Sequence, residues 1–283
     1  MVNPLDALRT PRYNVPTALR QGVIPLRWSH ADLREMRLYR YASQLADLFF
    51  PPHCVVCGRL GAWLCRACIQ SVSFLRLSAC PVCGRPGVES EDHCPTCAGE
   101  NPALSGMHSV SYYQPPLREA IHALKYGGVR AVAAPLGVLL AECWRRQPFA
   151  AHLIVPVPLH KARQRQRGYN QSLLLARELA GHIGLPLQEG MLLRTRNTRS
   201  QTTLTRQERQ VNVRGAFHCP DRTLTGAHIL LVDDVYTTGA TLEACATALL
   251  EAGVGRVYAL TLTRAGPGMS GERLQSARRD DAP

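Results

Sequence analysis

The amino-acid sequence predicts an α/β fold, in which a parallel sheet is flanked by helices and preceded by a small cysteine-rich module. Three observations support this prediction. Residues 229–232 form an unbroken aliphatic run, which is typical of a strand buried on both faces of a parallel sheet. An acidic pair, a loop of small polar residues and an apolar stripe at helical spacing follow that run. Eight of the eleven cysteines lie in a 44-residue stretch on its N-terminal side.

Length and composition are those of a globular protein. With 283 residues and 46% hydrophobic content, the chain can bury a sizeable core in one large or two smaller domains. No window approaches eighteen consecutive apolar residues, and residues 1–50 lack a charged segment followed by an apolar one. We therefore expect a soluble, cytoplasmic protein with no membrane insertion.

Residues 1–45 are expected to form a flexible extension that ends in a short helix. Four prolines interrupt the first thirty residues, which show no periodicity, whereas residues 38–50 have the pattern of a short amphipathic helix. Translation can start at Met1 or at Met36, and the sequence leaves both open.

The cysteine-rich module, residues 46–100, is built from four Cys-x2-Cys pairs. This spacing lets two thiolates bind the same tetrahedral zinc ion. Eight thiolates suffice for two zinc sites, and both are expected to be structural because four thiolates leave no open position for a reactant. The expected zinc ligands are Cys54, Cys57, Cys65, Cys68, Cys80, Cys83, Cys94 and Cys97.

Two other uses of these cysteines are disfavoured, and their pairing is left open. A cytoplasmic chain keeps its thiols reduced, which argues against disulfide bonds. Four consecutive pairs favour a metal over a redox Cys-x2-Cys motif. Sequential pairing, first with second and third with fourth, is the simplest arrangement, and interleaved pairing is the alternative.

Strand and helix patterns alternate through the second domain, residues 106–265. A linker with glycine and proline, residues 99–106, separates it from the cysteine-rich module. Besides 229–232, strands are predicted at residues 109–113, 153–158 and 256–262, and helices at residues 117–126, 129–144 and 172–183. Residues 266–283 are expected to be a disordered tail.

The stretch after the aliphatic run offers a site for a phosphate. Asp233 and Asp234 stand at the carboxyl end of the strand, where ligands of parallel sheets bind. The next loop enters a helix, whose first N–H groups attract anions, and its glycine and threonines permit close approach and hydrogen bonding. In the alternative reading, the aspartates only cap the helix. The expected phosphate-binding residues are Thr237, Thr238, Gly239, Ala240 and Thr241.

The order of aliphatic run, two acids and Thr-Gly-x-Thr resembles the phosphoribosyl pyrophosphate (PRPP) motif of type I phosphoribosyltransferases. The resemblance implies that the loop holds the ribose 5′-phosphate of PRPP. It also implies that Asp233 and Asp234, the expected catalytic residues, face the ribose hydroxyls. The spacing fits neither a Walker loop nor the Gly-x-Gly-x-x-Gly turn of dinucleotide-binding proteins.

The positive charge of the chain is concentrated in one region. The formal net charge is +12, and residues 161–214 contain eleven basic and three acidic residues, a net of +8. Such a concentration indicates a polyanionic partner, either a pyrophosphate or a nucleic acid, with a solvated basic face as the alternative. Four cations alternate in residues 161–167, and in an extended loop they would line one side. Arginine forks suit pyrophosphate, and the expected ligands are Arg163, Arg165 and Arg167.

Two further segments have two interpretations each. Lys125, at the end of a predicted helix and before two glycines, can complement the helix dipole or reach a ligand phosphate. Residues 194–209 have almost no apolar content, so they form either a lid that excludes water from the site or a plain surface hairpin.

Taken together, the motifs resemble the ComF family of bacterial competence and DNA-utilisation proteins. They are the cysteine pairs, residues 155–160, residues 167–171, the segment from Arg194 and the acidic pair, and they cover residues 45–265 in that order. The resemblance implies a type I phosphoribosyltransferase-like domain that binds PRPP with Mg²⁺ and that, if it is active, transfers its phosphoribosyl group to an unidentified acceptor. Arg163, Arg165 and Arg167 would then stabilise the leaving pyrophosphate.

Two other functions fit the same features. The protein can be a non-catalytic module that binds single-stranded DNA and other DNA-uptake proteins, with its arginines along the phosphate backbone. Few aromatic residues interleave the basic run, which weakens base stacking as the mode of binding. PRPP can also be a regulatory ligand that is bound without turnover.

Overall fold

The structure of the protein, a computed structural model, describes residues 51–75, 80, 82–84, 94, 97, 102–196 and 212–266. The expected N-terminal extension with its short helix, the tail from residue 267 and residues 197–209 of the lid or hairpin segment lie outside these ranges. None of the helices in the described ranges is long and apolar enough to cross a membrane.

In the described part of the chain, four parallel strands form the main sheet. They are β1 (Gly106–Tyr112), β2 (Leu153–Pro156), β5 (His228–Tyr236) and β6 (Arg256–Arg264), in the order β1-β6-β5-β2. The short strands β3 (Leu193–Arg194) and β4 (Phe217–His218) pair antiparallel in a separate two-stranded sheet. The predicted parallel sheet is confirmed, and the aliphatic run lies in β5 at its centre.

Six helices lie wholly within the described residues. A 3₁₀ turn, Arg130–Val132, leads into the third of them, and the predicted helices in residues 117–126, 129–144 and 172–183 are each found within one to four residues of the expected bounds. The helices are α1 (Arg66–Gln70), α2 (Leu117–Lys125), α3 (Ala133–Arg146), α4 (Lys161–Arg167), α5 (Gln171–Ile183) and α6 (Ala240–Glu251).

Strand β5 is buried on both faces, as its unbroken aliphatic run predicts. Leu230 and Val232 belong to a core shared with α2, α3 and α5. Ile229 and Leu231 point to the other face, in a second core shared with α6. Successive side chains of a strand alternate between its faces, so a strand with helices on both sides needs apolar residues at every position.

Helices α3 and α5 pack closely at a glycine. A Cβ atom added at Gly137 of α3 would lie 2.3 Å from the Cβ of Glu178 on α5. The contact brings α5 against the sheet, where its N-terminus meets the carboxyl ends of β2 and β5. It therefore positions one wall of the site described below.

The first half of the cysteine-rich module packs on the same domain. Cys54, Leu64 and Val72 are buried in the core that also contains helices α2, α3 and α5. The Ser111 hydroxyl of β1 donates to the Ser73 carbonyl at 2.7 Å, which ties residues after α1 to the sheet. The first half of the module and the sheet thus share a continuous apolar interior.

Candidate functional site

The acidic pair lies at the carboxyl end of β5, where polar side chains from two helices meet it. Asp233 accepts a hydrogen bond from the Ser172 hydroxyl of α5 at 2.7 Å. Asp234 is 3% exposed and forms an ion pair with Lys125 of α2, with Nζ and Oδ1 2.5 Å apart. The two aspartates therefore have different partners.

Burial and neighbouring charges shift the pKa values of Asp233 and Lys125. Burial, together with the negative charge of Asp234, raises the pKa of Asp233 to about 7, although Lys125 and Ser172 oppose the shift. Burial alone would lower the pKa of Lys125, but the Asp234 carboxylate outweighs it and the pKa is raised. The site thus holds a lysine that stays charged and a carboxyl that titrates near neutral pH.

One carboxylate oxygen in the site lacks a partner. Within the described part of the chain, Asp234 Oδ2 is buried and accepts no hydrogen bond. A buried acceptor without a donor is costly, because it has lost its water without compensation. A donor group brought to this oxygen would remove that cost.

The loop after β5 wraps closely around a tyrosine. Gly239 has φ 83°, and a Cβ atom added there would lie 2.8 Å from Tyr236 Oη, so both its conformation and the available space favour glycine. Thr238 Oγ1 lies 3.5 Å from the Ala240 N–H at the start of α6, while Thr237, Thr238 and Thr241 are half-buried. The positive end of the α6 dipole and these hydroxyls suit an anion.

The expectation that Lys161, Arg163, Arg165 and Arg167 line one side of an extended loop is wrong. Residues 161–167 form helix α4, in which alternate residues lie about 200° apart around the axis. Two caps favour the helix over the extended form: the Ala162 N–H donates to His160 Nδ1 at 3.2 Å, and Gly168 ends the helix with φ 78°.

The three arginines consequently have different surroundings. Arg163 is half-buried and near Arg194, whose pKa is lowered by burial and by the charge of Arg163. Arg165 is exposed, and its Nε donates to the Lys161 carbonyl at 3.4 Å. Arg167 donates to the Gln171 amide oxygen.

Sequence reasoning did not assign three residues that the structure brings to the acidic pair. Lys125, for which the sequence leaves a role at the helix dipole or at a phosphate open, forms an ion pair with Asp234. Ser172 comes from the first turn of α5, and the charge of Arg194 in β3 acts on Asp233 together with that of Lys125. In the sequence, Lys125 stands out only as a charged residue at a helix end, shortly before Gly127 and Gly128. The convergence itself follows from the strand order.

The cysteines form two clusters with the donor set of a structural zinc site. Cys54, Cys57, Cys65 and Cys68 form the first cluster, and Cys80, Cys83, Cys94 and Cys97 the second. In each cluster the four sulfur atoms lie within 4.8 Å of one another. Sequential pairing is therefore confirmed.

Backbone amides support the charged form of one buried sulfur in each cluster, Cys54 and Cys80. The Cys65 N–H lies 3.4 Å from Cys54 Sγ, and the Cys94 N–H lies 3.4 Å from Cys80 Sγ. Burial raises the pKa of Cys54, but the N–H groups of Cys65 and Cys57 outweigh it and lower the pKa to about 6. Thiolates held by N–H groups at tetrahedral spacing fit zinc.

Two known domain families match the chain. Residues 45–98 match the family described as "Double zinc ribbon domain". Residues 170–279 match the family described as "Phosphoribosyl transferase domain". The second match contains the acidic pair and the loop that follows it.

Several curated proteins are similar over almost their whole length. DNA utilization protein YhgH of Salmonella typhimurium is 34% identical over 226 residues, which cover 77% of this chain and 99% of the relative. YhgH of Escherichia coli K12 is 33% identical over the same shares. Competence protein F of Haemophilus influenzae is 30% identical over 231 residues, 77% of this chain and 99% of the relative.

Among solved structures, two similar chains come from nucleotide metabolism. The allosteric regulatory enzyme of purine biosynthesis is 19% identical, with a TM-score of 0.36 over 50% of this chain and 30% of that chain. Glutamine PRPP amidotransferase from B. subtilis is 21% identical, with a TM-score of 0.35 over the same shares.

Proposed function

Since this chain belongs to the ComF family of competence and DNA utilization proteins, we propose that it binds PRPP with Mg²⁺ at the end of β5. The observation that carries the proposal is the buried Asp234 Oδ2, which accepts no hydrogen bond from the described residues, together with the close fit of Gly239 in the loop that follows. A ribose hydroxyl supplies the missing donor, and a phosphate fills the loop.

The ribose 5′-phosphate occupies the loop of residues 237–241. Its oxygens accept hydrogen bonds from the hydroxyls of Thr237, Thr238 and Thr241 and from backbone N–H groups at the start of α6. The absence of a side chain at Gly239 lets the phosphate approach the backbone. Ala240, with its small side chain, begins the helix without covering the loop.

The ribose lies against the two aspartates. Its hydroxyls donate to Asp234 Oδ2. They also donate to the Asp233 carboxylate when Asp233 is ionised. Lys125 holds the orientation of Asp234 and places a positive charge at the same edge of the sheet. Mg²⁺, which prefers phosphate oxygens and few protein ligands, would be carried mainly by the pyrophosphate and would neutralise part of its charge.

The same arrangement suits transfer of the phosphoribosyl group. In that reaction the bond between ribose C1 and a pyrophosphate oxygen breaks, the electron pair leaves with pyrophosphate, and a nucleophilic atom of the acceptor bonds to C1. Asp233 and Asp234 stabilise the positive charge that develops on the ribose. Arg163 and Arg167, which are half-buried on α4, are proposed to stabilise the pyrophosphate, with exposed Arg165 further out.

The names of the relatives, which refer to DNA utilization and competence, favour a second candidate function: binding of single-stranded DNA as an adaptor to other DNA-uptake proteins. The net charge of +12 supports it. Salt separates the two functions, because DNA binding that releases counterions weakens steeply as salt rises, whereas a chelated ligand in a half-buried loop responds less. For either function we propose a cytoplasmic location, where free thiols stay reduced.

Calorimetric titration of the zinc-loaded full chain with PRPP and Mg²⁺ tests the proposal. Replacing Thr238 with valine keeps the shape of the side chain and removes the hydroxyl. A hydrogen bond to a charged group contributes about 1.5–3 kcal/mol, so Thr238→Val should weaken binding by about 10- to 100-fold. Thr247→Val is the matched control, because Thr247 is an exposed residue of α6 whose hydroxyl donates to its own helix.

Two results would refute PRPP binding at this loop. One is the absence of binding by the unmodified protein. The other is equal affinity of the Thr238→Val and Thr247→Val variants. Titration with a single-stranded oligonucleotide at low and high salt then decides whether DNA binding takes its place.

A further inference from the structure

The second cysteine cluster is connected through one buried arginine to the loop of residues 237–241, named the phosphate loop from here on. Arg264, at the end of β6, is 7% exposed. Its Nη1 donates to the Cys83 carbonyl at 3.0 Å, and its guanidinium lies 5.3 Å from the centre of the Tyr236 ring. Cys83 belongs to the second cluster, and Tyr236 is the residue around which the loop folds.

Tyr236 connects this arginine to the loop. Tyr236 and Arg264 are register partners in β5 and β6, and the Ala265 N–H donates to the Tyr236 carbonyl at 2.8 Å. The Tyr236 hydroxyl and ring edge lie where a Cβ of Gly239 would stand. Any displacement of the ring therefore changes the space beneath the phosphate loop.

The knuckle of the second cluster is also fitted tightly against the sheet. A Cβ atom added at Gly84, the residue after Cys83, would lie 2.7 Å from the Met107 carbonyl of β1 and 3.3 Å from Arg264 Nη1. A separate contact joins the linker to α6: the Ala103 N–H donates to Glu243 Oε2 at 2.8 Å, in the first turn after the loop.

A zinc ion bound in the second cluster would strengthen the contact between Arg264 and the Cys83 knuckle through its charge. Zinc bound by four thiolates carries a net double negative charge, which complements the buried Arg264 guanidinium beside it. A buried charge that loses its partner is strongly destabilising, so loss of the metal would force Arg264 to move. The first cluster has a different environment, since Cys54 and Cys65 are buried in the core with α2, α3 and α5.

We infer that the second zinc site positions the phosphate loop, with Arg264 and Tyr236 as positioning residues that transmit the geometry of the Cys83 knuckle to Gly239. The first zinc site has a structural role only. The effect on ligand affinity rests on the proposed PRPP function, whereas the effect on loop order does not. Loss of the second site is therefore expected to loosen residues 237–241 while the sheet stays folded.

The test compares equivalent cysteines of the two clusters, each followed by a glycine: Cys83→Ser for the second and Cys57→Ser for the first. Amide hydrogen exchange of residues 236–241, measured on the full chain, reports loop order, and calorimetry with Mg²⁺ and PRPP reports affinity. We expect Cys83→Ser to speed exchange in the loop and weaken PRPP binding by at least about tenfold. Cys57→Ser should leave the loop exchange rate and the PRPP affinity within about twofold of those of the unmodified protein, at temperatures where the variant is folded.

Variants of the positioning residues keep the inference testable if Cys83→Ser does not fold. Arg264→Met should reproduce the faster loop exchange and the tenfold loss of affinity with both clusters intact. Tyr236→Phe, which keeps the ring, should show loop exchange and PRPP affinity close to those of the unmodified protein. Tyr236→Ala, which removes the ring, should show faster loop exchange and weaker binding.

Some outcomes would overturn the inference independently of the proposed function. They are unchanged loop exchange in Arg264→Met, or equal effects of Cys57→Ser and Cys83→Ser. A wild-type protein that binds no PRPP would refute the proposed function alone, and loop exchange would still decide the role of the second cluster.

Discussion

At the scale of single residues, the ionisation of Asp233 connects the fold to ligand binding. The groups that face it are Asp234 on its own strand, Lys125 on α2, Ser172 on α5, Arg194 on β3 and Cys245 on α6. Because the pKa of Asp233 is raised in the folded state, its contribution to stability is present below about pH 4 and is lost as the pH rises through about 7. A buried carboxyl that lowers stability at neutral pH is typical of a functional site.

Binding of Mg²⁺ and PRPP should therefore depend on pH. Asp233 accepts a ribose hydroxyl only when it is ionised, so affinity should rise by about tenfold between about pH 6 and about pH 8. Calorimetric titrations at several pH values measure this rise. The phosphates of PRPP titrate as well, and Asp233→Asn separates the two contributions, because only the rise due to the protein disappears in the variant. An identical pH profile in both proteins would contradict the assignment.

Gly239 is expected to tolerate no side chain. In Gly239→Ala the new Cβ meets the Tyr236 hydroxyl and the residue must keep a positive φ, so we expect a loss of stability of about 1–2 kcal/mol and at least tenfold weaker PRPP binding. Gly184→Ala is the matched control: it has φ 73° and no atom within 4 Å, so it should lose similar stability without losing affinity. Urea denaturation and calorimetry measure both quantities, and equal affinities of the two variants would contradict the close fit at the loop.

The residues of the site differ in how far the sequence could predict them. Asp233, Asp234 and residues 237–241 follow one another, so a local pattern was enough to single them out. Lys125 and Ser172 come from helices more than forty residues away, and only the strand order β1-β6-β5-β2 brings them to the acidic pair. Their polarity alone does not distinguish them from surface residues.

At the scale of elements, α4 shows where periodicity misleads. Alternating cations in residues 161–167 suggested an extended loop, but seven residues are too few to separate a period of two from a helical one. The capping residues His160 and Gly168 were the better indication. Strand β5 was predicted correctly from its aliphatic run. A strand that is buried on both faces has apolar residues at every position, so apolar and polar residues do not alternate along it.

The packing of α3 on α5 gives a prediction about stability. Gly137→Ala should destabilise the protein by about 1–3 kcal/mol, because its Cβ would overlap Glu178. Gly181→Ala, on an open face of α5, should instead stabilise it by up to about 1 kcal/mol through helix propensity. Urea denaturation measures both changes. A neutral or stabilising Gly137→Ala would contradict the close contact of the two helices.

At the scale of the whole molecule, the cysteine-rich module and the sheet share an interior. Cys54, Cys65 and Leu64 lie in the same core as Leu140 and Leu179. The sequence predicted two metal sites from spacing alone, but it contained no indication that the first would be built into the core of the second domain. That contact depends on long-range packing, which no local pattern encodes.

Loss of the first zinc site should consequently destabilise the α/β domain as well. We expect Cys57→Ser to lower the temperature of a single unfolding transition by roughly 5–10 °C, measured by differential scanning calorimetry. Cys219→Ser, which changes a thiol outside both clusters, should lower it by less than about 2 °C. Two separate transitions, with that of the α/β domain unchanged, would contradict a shared core.

The most direct measurement of the central claim is a crystal structure of the zinc-loaded protein with PRPP and Mg²⁺. We expect the 5′-phosphate in the loop of residues 237–241 and a ribose hydroxyl within hydrogen-bonding distance of Asp234 Oδ2, the buried oxygen that has no partner in the described part of the chain. PRPP bound elsewhere, for example along the exposed side of α4, with the loop empty, would contradict the account.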